Sequence, residues 1–214
     1  MLLGIIPLTI NSCENEIPAG LQTIAKGQVL DSVKNKTLAW AKVVLSGCHG
    51  TFYGLSCSNI IDSVRTNNIG EFEITFTTDG KDKSYEISVF EDEDFIFSSA
   101  ETIKIGQANS LTLYATELSI LKVKLEIDNN SVGPIRLITP GGNHSIINKN
   151  TRDTIIYGKV IPKYKNRFTF DAYDPSISAV DKYRKSRDTL DIDLRDTTYF
   201  VKKITDPKLW STGR

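Results

Sequence analysis

Hydrophobic and polar residues alternate with a period of two along most of the chain. Leu121, Val123, Leu125 and Ile127 share one face of a strand, and Lys122, Lys124 and Glu126 share the other. Phe72, Ile74 and Phe76 alternate in the same way with Glu71, Glu73 and Thr75. Ala41, Val43 and Leu45 repeat the pattern, as do Tyr85, Ile87 and Val89. Near the C-terminus, Leu190, Ile192 and Leu194 face one way while Asp191, Asp193 and Arg195 face the other. Such alternation buries one face of a sheet and wets the other, as antiparallel sheets do. No window of a dozen residues carries a convincing helical period, and one short helix around Ser176 to Arg184 is only weakly periodic.

Turn-forming residues separate the runs: Asn67-Asn68-Ile69-Gly70, Asp79-Gly80, Asp128-Asn129-Asn130 and Pro140-Gly141-Gly142-Asn143. Many short strands at this spacing predict sandwiches or barrels. After Ala115 the pattern restarts. Strands are expected near 120–127, 134–139, 153–161, 167–173, 188–194 and 198–204, with Trp210 docking on the sheet rather than exposing its ring.

The first half carries a resemblance in four ordered blocks. They are Gly27-Gln28-Val29-Leu30-Asp31, Ala39-Trp40-Ala41-Lys42-Val43-Val44-Leu45, Val64 through Ile74, and Tyr85-Glu86-Ile87-Ser88-Val89. This resembles the carboxypeptidase-regulatory-like, transthyretin-like β-sandwich of bacterial surface proteins over about residues 24–115. The resemblance implies a noncatalytic module and transfers no catalytic residue. Trp40 stands near the place where that family commonly has a proline, and a Cys-containing insertion, Ser46 to Asp62, separates the second and third strands. The fold expectation is all-β: two consecutive antiparallel β-sandwich domains, Ig-like or transthyretin-like, at 24–115 and 116–214. The second has no family named for it.

The N-terminus changes the picture of where the protein works. Leu2 to Ile10 is weakly polar to apolar and far too short to span a bilayer, which needs about 20 residues. Its length suits a secretory signal peptide. Ile10-Asn11-Ser12-Cys13 resembles the lipobox of bacterial lipoproteins, which implies cleavage before Cys13 and acylation of that residue. The reading is a signal peptide over 1–12, a polar tether over 13–23, and a lipid anchor in the outer membrane or at the cell surface. Five Asp-Ser or Asp-Thr tripeptides, beginning at Asp31, Asp62, Asp153, Asp188 and Asp196, resemble the O-glycosylation signal of exported bacteroidete proteins.

Composition narrows the chemistry. The 26 basic and 26 acidic residues cancel, so no excess positive charge exists to displace counterions from a nucleic acid, and that partner is set aside. Two His and three Cys leave little raw material for a metal site, and neither a metal nor a cofactor is expected. Cys48 and Cys57 bracket a loop. In an oxidising compartment a disulfide is the default, worth about 2.5–3 kcal/mol in the chain-entropy picture. Free thiols or a metal site with His49 are the alternatives, although a structural zinc needs four ligands.

No Gly-x-Ser-x-Gly, Ser-x-x-Lys or His-Glu-x-x-His motif occurs, so no catalytic residue is assigned. His49 and His144 read as loop tips. The acidic run Glu91 to Asp94 and the aspartates 188, 191, 193 and 196 read as solvated faces. The leading expectation is a non-catalytic envelope lipoprotein, an accessory or adhesive module holding a protein or glycan partner. Its candidate surface is the loop Gly47 to Ser58, with His49, Phe52, Tyr53 and Leu55. The alternatives are a carbohydrate-binding component of a glycan-uptake system and a hydrolase with an unrecognised site.

Overall fold

The computed structural model describes residues 17–51, 54–91, 94–97, 99–177, 182–194 and 196–212. The chain is an all-β sandwich protein. Its first eight strands are β1 (Gln22–Asp31), β2 (Lys42–Thr51), β3 (Gly54–Arg65), β4 (Glu71–Thr77), β5 (Ser84–Val89), β6 (Phe95–Phe97), β7 (Ala100–Thr102) and β8 (Ala108–Glu117). Then follow β9 (Ser119–Ile127), β10 (Ile135–Thr139), β11 (Gly142–Ile147), β12 (Asp153–Val160), β13 (Lys165–Tyr173), β14 (Tyr183–Asp191) and β15 (Thr197–Ile204). A 3-10 turn (Pro207–Leu209) and the two-residue β16 (Ser211–Thr212) end the described part. No described helix is long and apolar enough to cross a membrane.

Two sheets enclose each of two hydrophobic clusters. In the first half, the order β4-β1-β8-β6 faces the order β3-β2-β5-β7. Between them lie Val29, Val43, Leu45, Phe72, Tyr85 and Ile87 with their neighbours. In the second half, the order β12-β9-β15 faces β11-β10-β13-β14-β16 around Leu121, Val123, Leu125, Leu137, Phe168 and Phe170. The alternating residues of the sequence are the ones buried: Phe72, Ile74, Phe76, Tyr85, Ile87, Val89, Leu121, Val123, Leu125 and Ile127 all lie inside. Trp210 packs against the second cluster.

The two halves share a strand plan. In each, the first strand pairs with the fourth antiparallel and with a late strand parallel: β1 with β4 and β8, β9 with β12 and β15. In each, the second strand pairs with the third and the fifth: β2 with β3 and β5, β10 with β11 and β13. The sheets that hold β1 and β9 are therefore mixed, where alternation alone predicted antiparallel pairing throughout; the two facing sheets are antiparallel. Burial on one face is blind to the direction of the neighbouring strand, which a crossover through the opposite sheet decides.

Two glycines are required by geometry. Gly70 has φ +79° at the turn before β4, and an added Cβ would lie 3.0 Å from the carbonyl oxygen of Val29. At Gly27 a Cβ would fall 1.9 Å from the backbone oxygen of Leu111, so any side chain there forces β1 away from β8.

Several expectations are corrected. The stretch read as a loop, Gly47 to Ser58, is strand on either side of residues 52–53: β2 runs to Thr51 and β3 starts at Gly54, paired as a ribbon with two register irregularities. His49 lies within β2, paired with Ser56, and His144 lies within β11, so neither marks a loop tip. The stretch expected as a strand at 188–194 begins earlier, at Tyr183, and ends at Asp191. Ile192 beyond it is buried but Leu194 is exposed, so the alternation there outlasts the strand. Tyr183 and Arg184 are in β14 rather than in a short helix. Cys13, Phe52, Tyr53 and Arg195, and the proposed signal peptide, lie outside the described residues.

Candidate functional site

The predicted surface is the end of the β2–β3 ribbon. Cys48 and Cys57 sit on neighbouring strands, with Cα atoms 4.0 Å apart, and are joined by a disulfide. The Glu86 carboxylate lies beside them, its oxygen and the two sulfurs within 4.8 Å of one another. Bonded to each other, the sulfurs are not thiolates and offer no ligand charge to a cation. His49 and Leu55 are exposed on opposite strands of the ribbon, and Ile60 and Ile61 add apolar surface further along β3. β3 is an edge strand.

Two concavities among the described residues are of ligand size. The larger, about 680 Å³, lies over β1, β4 and β8, among Lys26, Gln28, Glu71, Glu73, Ser110 and Thr112. Its one aromatic ring, Phe72, belongs to the core and is not presented. The smaller, about 460 Å³, lies where the two halves meet, and Trp40 forms part of its wall. This second cleft is better built for recognition despite its size.

Trp40 is 64% exposed and its φ is +66°, a left-handed conformation that a bulky side chain adopts only under constraint. The constraint is visible. The Thr66 hydroxyl donates to the carbonyl of Leu38 at 2.7 Å and accepts the amide of Ala41 at 3.0 Å. The Trp40 amide donates to the Thr66 carbonyl, and Arg65 Nη1 donates to the Trp40 carbonyl at 2.6 Å. Four hydrogen bonds thus brace a turn of four residues, and they present an indole that the core does not use. A ring held still before binding loses little freedom on binding.

Ala39, Phe95, Leu118 and Ile120 add apolar surface to the cleft, and charged side chains form the rest. Lys34 Nζ reaches Glu117 at 3.0 Å and Asp196 at 3.3 Å, and Lys36 reaches the same Glu117 oxygen at 2.7 Å. Lys159 pairs with Asp94 at 2.7 Å. Burial by itself would lower the Lys34 pKa, but the hydrogen bonds and charges of Glu117 and Asp196 outweigh it and hold it above the usual lysine value. Burial would raise Glu117, yet hydrogen bonds from Lys36 and Lys34 hold it below the usual carboxylate range. A glycosidase general acid needs the opposite shift. The lining contains no Ser, Thr, Cys or His to serve as a nucleophile or base.

Sequence reasoning missed this cleft because its parts are far apart: residues 34, 40, 65, 94, 117, 159 and 196 meet only in the fold. The one signal was Trp40 itself, in a place where the resembling family has a proline. Asp94 and Asp196 are solvent-exposed, as read, and in addition pair with Lys159 and Lys34 across the two halves.

No protein-family model matches the chain, and no curated protein matches it. Solved structures do. The minor pilin GBS52 of Streptococcus agalactiae superposes with a TM-score of 0.48 at 9% identity, over 85% of this chain and 94% of the pilin. A Bacteroides uniformis protein described as a candidate carbohydrate binder gives a TM-score of 0.31 at 8% identity, over 79% of this chain and 99% of its own. The Bacillus anthracis TIE protein gives 0.36 at 8% identity over 86% of this chain, which spans 34% of that protein's length. All three scores are below one half, and no residue's role passes from these proteins to this one.

Proposed function

We propose that this chain is a non-catalytic envelope lipoprotein, anchored through Cys13, that holds a glycan in the Trp40 cleft as part of surface adhesion or glycan uptake. The observation that carries the reading is Trp40: a braced, 64% exposed indole on the wall of a mixed polar and apolar cleft of about 460 Å³. Sugars present a C–H face that stacks on an aromatic ring and a hydroxyl rim that bonds to charged groups, and both kinds of surface meet here. The non-catalytic part is supported by Glu117, whose pKa is shifted away from that of a general acid.

The test is a glycan array probed with the full chain and with Trp40→Ala. Removing a central aromatic anchor costs about 2 kcal/mol or more, roughly a thirtyfold loss. Unchanged binding in Trp40→Ala, or no binding to any glycan, rejects the reading. For the anchor, Cys13→Ser expressed in a native-type host is expected to leave the detergent phase. Identical fractionation of the two forms rejects it.

A second reading has its own observation. β3 is a twelve-residue edge strand bearing exposed Leu55, Ile60 and Ile61, and such an edge accepts an extended segment of a partner protein by strand addition. Its test is loss of a co-purifying partner in Ile60→Lys with glycan binding retained.

A further inference from the structure

The outer face of the three-stranded sheet continues from the cleft without a break. Ile120 and Lys159, which line the cleft, are register partners, and Thr197 completes their row. The next row, two residues along, is Tyr157–Lys122–Tyr199. The row after that is Ile155–Lys124–Val201. Successive rows on one face are about 6.8 Å apart, and the two tyrosines, with one strand between them, stand about 9.6 Å apart.

This face lies outside the hydrophobic core. Leu121, Val123, Leu125 and Ile127 of the same strand fill the core from the other face. Tyr199 is 71% exposed and Tyr157 53%, and Ile120 is exposed beside them. Lys122 Nζ lies 5.9 Å from the centre of the Tyr157 ring and 5.3 Å from that of Tyr199. Lys124 in the next row is neutralised by Glu126 at 2.8 Å. Lys122 makes no ion pair among the described residues, so its ammonium is held between two rings with its charge uncompensated.

We infer that the cleft is one end of an extended track, and that its ligand is an acidic polysaccharide running from Trp40 across Ile120 to Tyr157, Lys122 and Tyr199. This rests on the glycan reading of the cleft and adds the polymer length and the charge. The flat face with two rings on either side of a cation suits an extended chain of sugar rings carrying carboxylates. A single terminal sugar would fill the cleft and leave this row unoccupied. Continuity with the cleft and the unpaired charge of Lys122 favour this occupant over a second copy of the chain.

The experiment is calorimetric titration of the full chain with size ladders, dimer to octamer, of polygalacturonate, alginate and hyaluronan, with cello-oligosaccharides as the neutral ladder. The expected result is an affinity that rises about tenfold or more from dimer to hexamer of at least one uronate polymer. Tyr199→Ala and Lys122→Gln, both outward-facing, remove the rise and leave dimer binding intact; Trp40→Ala weakens every length. Binding of short fragments with no gain from length overturns the track and leaves the glycan reading of the cleft standing. A length gain equal for neutral and acidic ladders and untouched by Lys122→Gln overturns the acidic assignment. Concentration-dependent dimerisation abolished by Tyr199→Ala assigns the face to a second copy and overturns the track. Binding by no ladder overturns the track, and the glycan array decides the reading of the cleft separately.

Discussion

Thr66 and Trp40 are joined through the backbone, the Trp40 amide donating to the Thr66 carbonyl at 3.2 Å, while the Thr66 side chain secures the residues on either side of the indole-bearing turn. Leu38 and Ala41 are almost fully buried, so the groups that Thr66 satisfies have no water to turn to. Thr66→Val, nearly isosteric, is expected to lower stability by about 1–3 kcal/mol, the usual cost of orphaned buried polar groups. It should also weaken ligand binding without touching the ligand. Urea denaturation and calorimetry on the same samples check both effects.

Trp40 is expected to set stability against binding. Relief of a positive φ at a residue whose ring is exposed favours Trp40→Gly by about 1 kcal/mol, because little packing is lost. Binding should fall by the same large factor as in Trp40→Ala. A glycine variant that melts lower than the wild type would show that the indole is structural.

The disulfide is expected to be a modest staple. It closes a loop of nine residues' separation between strands that already pair on both sides of it. Cys48→Ser/Cys57→Ser should cost at most about 3 kcal/mol and leave the sandwich folded. Intact mass of periplasm-purified protein, alkylated with and without prior reduction, reports the bond directly. Two free thiols in the unreduced sample would redirect attention to Cys48, Cys57 and Glu86 as metal donors.

Acid sensitivity should centre in part on Asp174. Hydrogen bonds from Ser176 and Arg184 depress its pKa from 3.8 to about 2. The folded value lies below the unfolded one, so this contribution is complete above about pH 4 and fades as pH falls toward 2. Asp174→Asn removes it at neutral pH. The gap in urea midpoint between wild type and variant is therefore expected to shrink steadily from pH 5 to pH 2.

Alternation disclosed most core strands because one face of each is buried. It failed at β3, whose side chains are mostly exposed or half-buried, so no period marks it and its polar residues read as an inserted loop. The cysteine pair was legible from its separation together with the oxidising compartment that export implies. The cleft was not, since a wall made of residues 34, 40, 94, 117 and 196 exists only after β8 and β9 meet at Leu118. Lys122 illustrates the same limit. Its place on a polar face was evident, but the tyrosines beside it come from two strands that only register can align.

Two separate clusters of buried side chains lead us to expect that residues 118–214 fold alone as a second domain. A cooperative urea transition and dispersed amide spectrum for that fragment are the expected result. A collapsed, undispersed fragment would make the chain one cooperative unit.

The parallel pairing of β1 with β8 and of β9 with β15 has a mechanical consequence. Force applied between the two ends of the chain would load both pairs. Pulling β1 by its start and β8 by its end drags the two past each other lengthwise, and the same holds for β9 and β15. Their hydrogen bonds then carry the load together in shear, instead of opening one after another like a zip. With only Leu118 between the two shear pairs, there is little slack to take up before both are loaded.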